Sequence, residues 1–298
     1  MNAPTPFIAA GLREICGLES GVNSSQVPAM PALQTNPASF NPNNLDLTRV
    51  ASYDRVIKAN TERVWENVLD WEHLPHLHSS SFDHVDLDEA GAWGWRTWSN
   101  ADRSSHIELC VDDSQYVARS YQAGHQVSEI WTYLTPEKEH TNIHVEFYGT
   151  NIAADAIDKV GKIYLGLYQR LWDEDEAMMI ERQRRVNQSR SAETRLDLGP
   201  RGDLENRLPL TIQLKGGEFQ IMAINNKLIA CSTICPHLLG PLSDIDSDTQ
   251  TVTCPWHGYR FNIETGQCLS PISATCKLPR PPAIVEESGN IILTYQES

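Results

Sequence analysis

Cys235-Pro236-His237 and Cys254-Pro255-Trp256-His257-Gly258-Tyr259-Arg260-Phe261 decide how this chain is read. Each stretch holds one Cys and one His, with one residue between them in the first pair and two in the second. Sixteen residues separate the pairs. The prolines hold both stretches in turns, and Gly258 lets the second loop come close to whatever the side chains bind. Two thiolates and two imidazoles on short loops are a metal-ligand set. Tetrahedral zinc accepts such a set, but zinc fingers group Cys with Cys and His with His. A 2Fe–2S cluster with two thiolates on one iron and two imidazoles on the other also needs these ligands.

The pattern C-P-H…C-P-W-H-G-Y-x-F resembles the Rieske domain, a resemblance that makes Cys235, His237, Cys254 and His257 the ligands of a 2Fe–2S cluster. Respiratory-chain Rieske proteins carry a further Cys in each loop and join the two in a disulfide. Leu239 and Trp256 occupy that region here, so the resemblance is to the ferredoxin and oxygenase branch.

Outward from these loops, short apolar runs at 211–214, 219–224, 227–231, 259–262 and 291–295 are separated by Gly216-Gly217, Asn225-Asn226 and Thr265-Gly266. They predict successive hairpins and a small all-β domain over 207–298. Residues 189–206 are polar, with Gly-Pro and Arg-Gly-Asp turns, and read as a linker. Residues 1–45 are rich in Asn, Pro, Ser and Ala and read as an extended arm, either a free tail or a strap on a neighbouring subunit.

Between arm and linker, residues 46–188 predict an α+β domain. A strand over 50–58 is followed by a helix over 62–70, capped by Asn60 or Thr61, with Val64, Trp65 and Val68 inward. Six more strands follow, at 82–87, 93–98, 105–111, 116–121, 126–134 and 141–148, and a long helix from about 153 to 186 closes the domain. This order, and the opening Ile57-Lys-Ala-Asn-Thr-Glu-Arg-Val-Trp65, resemble the helix-grip fold of the START and Bet v 1-like superfamily. In that fold an antiparallel sheet wraps the last helix around an apolar pocket, and the catalytic domain of Rieske oxygenases is a member.

A second metal site is suggested by Asp70-Trp71-Glu72-His73-Leu74-Pro75-His76-Leu77-His78. Non-haem iron oxygenases bind Fe(II) through two His and one carboxylate, leaving positions open for dioxygen. Rieske oxygenases carry a pattern resembling D-x2-H-x4-H after a helix, and Asp70, His73 and His78 match it. The resemblance makes His73 and His78 iron ligands and Asp70 the carboxylate that passes the electron on from a cluster histidine. His76 could replace either neighbour. The third ligand is expected from Asp173-Glu174-Asp175-Glu176 on the long helix. Asp175 falls on the apolar stripe of Val160, Tyr164, Tyr168, Leu171 and Met178, whereas Asp173 shares a row with Lys162, Gln169 and Arg170. An acid on the pocket-facing stripe is costly unless paired or metal-bound, which favours Asp175, with Asp173 second. Trp93, Trp95, Trp98, Trp131, Tyr133 and Phe147 are candidates for the pocket wall or for ordinary sheet core.

The chain departs from the oxygenase pattern in its reversed domain order, its short first domain, and Glu66 where an Asn is common. The resemblance implies a terminal oxygenase that hydroxylates or demethylates an apolar, ring-containing small molecule. It implies dioxygen as cosubstrate and electrons from NAD(P)H through a separate ferredoxin or flavin reductase, for no flavin or nicotinamide motif is found. It also implies a homotrimer. A different reading is a Rieske ferredoxin-type electron carrier fused to an iron-free ligand-binding domain, or a redox sensor of the same build. The net charge of −15 disfavours nucleic acid and anionic membranes as partners. Seven cysteines without a repeated spacing fit a reducing cytoplasm, and no apolar run is long enough to span a bilayer.

Overall fold

A computed structural model describes residues 46–189 and 191–295. The arm expected over 1–45 lies outside the described residues. The chain divides into two compact units between Ile180 and Glu181, inside the long helix rather than after it.

The N-terminal unit opens with β1 (Leu47–Ile57), followed by helix α1 (Thr61–Leu69), a 3-10 turn (Trp71–His73) and a single helical turn, α2 (Leu74–Leu77). Six antiparallel strands follow: β2 (Asp86–Gly91), β3 (Gly94–Trp98), β4 (Ser105–Asp112), β5 (Gln115–Gln122), β6 (His125–Pro136) and β7 (Thr141–Thr150). Helix α3 (Ile157–Asn187) closes the unit. The sheet order is β1-β7-β6-β5-β4-β3-β2, a meander whose last strand pairs with the first. This is the expected α+β architecture, a large antiparallel sheet with a long helix.

Local chemistry explains the elements. Asn60 caps α1 by accepting from the Arg63 backbone N–H at 3.0 Å, and Val64 and Val68 enter the core. A bulge between Arg49 and Ala51 shifts the phase of β1, so Ala51, Tyr53 and Ile57 pack against the core while Ser52 and Asp54 face out. Gly161 on α3 sits so close to β1 that a Cβ there would stand 2.5 Å from the Val50 carbonyl oxygen. Ile57, Val145, Phe147, Val160 and Trp172 lie in the core formed by sheet and helix.

One strand is displaced from its expected place. The second strand runs over Asp86–Gly91, not 82–87. It is an exposed edge with no apolar alternation to reveal it, while the apolar Phe82 that suggested a strand is drawn inward as part of a loop.

The C-terminal unit holds three small sheets, β11-β10-β9, β12-β13-β14-β15 and β16-β17-β8. Their strands are β8 (Arg195–Pro200), β9 (Leu210–Leu214), β10 (Gly217–Ile224), β11 (Lys227–Ser232), β12 (Ile245–Asp246), β13 (Thr251–Thr253), β14 (Arg260–Asn262), β15 (Cys268–Ser270), β16 (Ala283–Glu287) and β17 (Asn290–Thr294). Residues 195–205 are not the expected linker. They form β8, paired antiparallel with β17, and the short helix α4 (Arg201–Glu205). Leu198 and Leu204 are buried there with Phe219, Ile221 and Leu293. Gly199-Pro200, expected as a turn, ends β8, and Arg201-Gly202-Asp203 opens α4.

Candidate functional site

In the N-terminal unit, α1 ends at Leu69, and Asp70 caps the 3-10 turn by accepting from the Glu72 backbone N–H at 3.2 Å. The two turns that follow carry His73 and His78 to the same side, both buried, against Asp175 of α3. Asp175 Oδ1 lies 2.9 Å from His78 Nε2 and 3.5 Å from His73 Nε2. One ligand atom from each of the three residues lies within 4.8 Å of the others. Metal bonds of about 2.1 Å at right angles put neighbouring ligand atoms about 3 Å apart, so the spacing suits a two-His, one-carboxylate face.

The other ring nitrogens point away from the shared centre. His78 Nδ1 is 2.6 Å from Glu174 Oε2, and His73 Nδ1 is 3.8 Å from Asp70 Oδ2. A metal-binding histidine normally presents its second nitrogen to such a carboxylate, which fixes the tautomer and the ring. The Asn67 amide donates to Asp175 Oδ1 at 3.0 Å. Burial alone would lower the pKa of His78, but the hydrogen bond and charge of Asp175, then those of Glu174, hold it above the ordinary value. Burial likewise opposes ionisation of Asp175, and His78, His73 and Asn67 outweigh it, keeping the carboxylate below its usual range.

His76, the alternative ligand, is exposed on the far side of its turn. Asp173 is 60% exposed and pairs with Arg55 at 2.7 Å, away from the histidines. Two residues along a helix is a rotation of about 200°, so Asp173 and Asp175 cannot serve one face. Arg55 also binds Glu176, whose Oε1 accepts from the Lys58 backbone N–H at 2.8 Å. Sequence reasoning missed the parts played by Asn67 and Glu174. A buried Asn among the Val64 and Val68 positions of an amphipathic helix was the signal available.

The three residues stand in the wall of a cavity of about 160 Å³ between sheet and helix. Its apolar lining includes Trp95, Leu109, Tyr116, Ile130 and Leu171, relieved by Ser120 and Ser128. Trp95 is fixed by donating its indole N–H to the Val68 carbonyl at 3.0 Å. Of the six aromatic candidates, Trp95 lines this cavity. Trp93, Trp131 and Tyr133 pack with Cys110 and Val117 on the other face of the sheet. Trp98 lies edge-on to His106, and Phe147 packs against Tyr164 and Tyr168. Strand alternation decides this: Ile130 faces the cavity, so its neighbour Trp131 cannot.

In the C-terminal unit, the two Cys-His loops have the same backbone. Cys235 N–H donates to Gly240 O at 2.8 Å and Leu239 N–H to Cys235 O at 3.1 Å. Cys254 N–H donates to Tyr259 O and Gly258 N–H to Cys254 O, both at 2.9 Å. Leu239 (φ 65°) and Gly258 (φ 66°) are both left-handed. At Gly240 a Cβ would fall 2.7 Å from Cys254 Sγ.

These loops bring Cys235 and Cys254 into hydrogen-bonding contact, and the His237 and His257 rings to 4.7 Å between centroids. His237 also stacks on Tyr259 at 4.3 Å. The contact between the thiols, then burial, pushes Cys235 up, and the same contact lowers Cys254. Thiols sit with thiols and imidazoles with imidazoles. That division fits a 2Fe–2S cluster with Cys235 and Cys254 on one iron and His237 and His257 on the other.

Comparison with known proteins agrees for this unit. Residues 194–282 match the Rieske [2Fe-2S] domain family. Apoptosis-inducing factor 3 of mouse and of human are each 38% identical to this chain over 64 residues, which is 22% of this chain and 11% of those proteins. Among solved structures, the ferredoxin of carbazole 1,9a-dioxygenase from Nocardioides aromaticivorans IC177 aligns over 35% of this chain and all of its own (21% identity, TM-score 0.29). A START superfamily protein from Mycobacterium smegmatis aligns over 44% of this chain and 99% of its own (15%, 0.33). The Zhui aromatase/cyclase from Streptomyces sp. R1128 aligns over 48% and 99% (13%, 0.36). Residues 194–282 are a Rieske domain, which implies a 2Fe–2S cluster.

Proposed function

We propose that this chain is the terminal component of a Rieske-type non-haem iron oxygenase, with its catalytic domain ahead of its Rieske domain. The observation that carries this reading is the placing of His73, His78 and Asp175 together in the wall of an apolar cavity. When bound, the cluster supplies electrons singly, and Fe(II) on two His and one carboxylate supplies open positions for dioxygen. The protein's own groups do the rest. Glu174 bonds the outer nitrogen of His78 and sets which of its nitrogens carries the proton, while Asp70 stands 3.8 Å from the outer nitrogen of His73. Asn67 orients the Asp175 carboxylate. Asp70 is the candidate for passing an electron toward the iron.

The cavity selects the substrate. An apolar cavity of about 150 Å³ holds a benzene ring, so a single-ring or similarly compact apolar molecule suits the volume of about 160 Å³. Ser120 and Ser128 offer it hydroxyls. The outcome is hydroxylation of a C–H bond, or demethylation where that carbon is a methyl on nitrogen or oxygen. NAD(P)H electrons arrive through a separate ferredoxin or flavin reductase, and the assembly is a homotrimer.

A second reading is an electron carrier fused to an iron-free ligand-binding domain. It is favoured by one observation: Asp175 is already satisfied by His78 and Asn67 without a metal. Single-turnover reaction separates the two. Protein reduced with dithionite and freed of it is exposed to ¹⁸O₂ with single-ring compounds. Oxygen-18 in a product from wild type, and none from Asp175→Ala, is expected. A panel that yields no labelled product, with equal oxygen uptake in both proteins, overturns the oxygenase reading.

A further inference from the structure

Of the five cysteines in the C-terminal unit, Cys231, Cys235 and Cys254 are buried, and Cys268 and Cys276 are partly exposed. Gln267 bridges Lys277 antiparallel. Continued by one residue, that antiparallel register would set Cys268 opposite Cys276. Their thiols are within hydrogen-bonding reach of each other. Facing residues of an antiparallel pair have Cα atoms about 4.5–5.5 Å apart, inside the range of about 4.4–6.8 Å that a disulfide spans. Here two partly exposed cysteines meet beside an isolated bridge, where neither serves the cluster.

We propose that Cys268 and Cys276 form a reversible disulfide at the base of the loop 269–275. The oxidant is a small-molecule disulfide of the glutathione type. The Cys268 thiolate attacks one of its sulfurs, and a mixed disulfide forms as the first small thiol leaves. Cys276 then loses its proton and attacks the Cys268 sulfur, and the second small thiol leaves. Two thiols become one disulfide, and the two electrons pass to the oxidant as its S–S bond is reduced. Attack begins at Cys268 because burial, then the charge of Cys268, holds Cys276 as the thiol.

The position gives the bond a consequence. The loop it closes presents Ile272, 95% exposed, and Leu269 at 39%. Oxidation pins an apolar tip. An exposed disulfide closing a short loop is readily reduced, which suits a reversible device. This proposal concerns the Rieske domain and stands whether or not the first domain holds iron.

The test uses the full chain with its cluster. It is incubated with oxidised glutathione, blocked with iodoacetamide and mapped by mass spectrometry, while cluster absorbance is followed. A peptide linked through Cys268 and Cys276, released by dithiothreitol, at unchanged absorbance, is expected. Cys276→Ser should trap glutathione on Cys268, and Cys268→Ser should leave Cys276 alkylated. Equal alkylation of both thiols before and after oxidant in wild type overturns the proposal. So does a linked peptide that contains Cys235 or Cys254.

Discussion

The two ligand sets of this chain are held in different ways. Around Cys235 and Cys254 the backbone does the holding: matched pairs of main-chain hydrogen bonds close two loops of the same shape. Around His73, His78 and Asp175 the holding is done by side chains, with Asp70, Glu174 and Asn67 each facing one ligand. A backbone cradle tolerates change in its neighbours as long as the ligands and the left-handed positions remain. A side-chain cradle has no such reserve, since each supporting group is one substitution from loss. The cluster should therefore fail with its ligands or with its left-handed and glycine positions, and the triad should fail by degrees.

The largest effect tests the backbone side. Cys254→Ser or His257→Ala should abolish the cluster, read as loss of visible absorbance and of acid-labile sulfide, while iron at the triad remains. Next, His73→Ala or Asp175→Ala should remove the triad's iron without touching the sulfide content. Glu174→Gln comes third: loss of a supporting carboxylate should weaken Fe(II) binding about 10–100-fold, measured by competition with a chelating dye. The same change leaves the cluster spectrum intact, which is the sharpest contrast between the cradles.

A pH series gives a smaller effect. His78 is raised in the metal-free chain, so its contribution to stability is present below the ordinary histidine pKa and is lost as pH rises through the raised value. Asp175 is depressed, so its contribution is present above the ordinary carboxylate pKa and is lost as pH falls through the lowered one. Metal binding needs His78 without its proton. The rise in Tm on adding Fe(II) should therefore be greater at pH 8 than at pH 6, and an equal rise at both would count against His78 as a ligand. The smallest effect belongs to Asp173→Asn. It breaks a partly exposed pair with Arg55 and should cost no more than about 1 kcal/mol, with iron content unchanged.

Legibility followed sequence distance. The cluster ligands fall within two short runs whose spacing is itself the signal, so they could be read without a fold. His73 and His78 were visible as a spacing, but Asp175 lies about a hundred residues on and could be chosen over Asp173 only by helical phase. That choice agrees with the burial of Asp175 and the exposure of Asp173. The supporting Glu174 could not be ranked, because phase alone does not say which neighbour reaches around to His78. The strand at 195–200 was hidden for a similar reason: its partner β17 is some ninety residues away, and its Gly and Pro read locally as turns. The aromatic residues stayed open between pocket wall and sheet core for a different reason. Residue type does not say which face of a strand meets the helix; register does, and it turns Trp93, Trp131 and Tyr133 away from the cavity and Trp95 toward it.

The central claim is that one chain holds a Rieske cluster and a separate mononuclear iron. Iron and acid-labile sulfide should be measured on anaerobically purified protein, wild type beside His73→Ala. The account predicts about three irons to two sulfides in wild type, falling to about two irons in the variant. Two irons to two sulfides in both proteins, with added Fe(II) failing to bind, would contradict it and leave the first domain as a binding cavity without a metal.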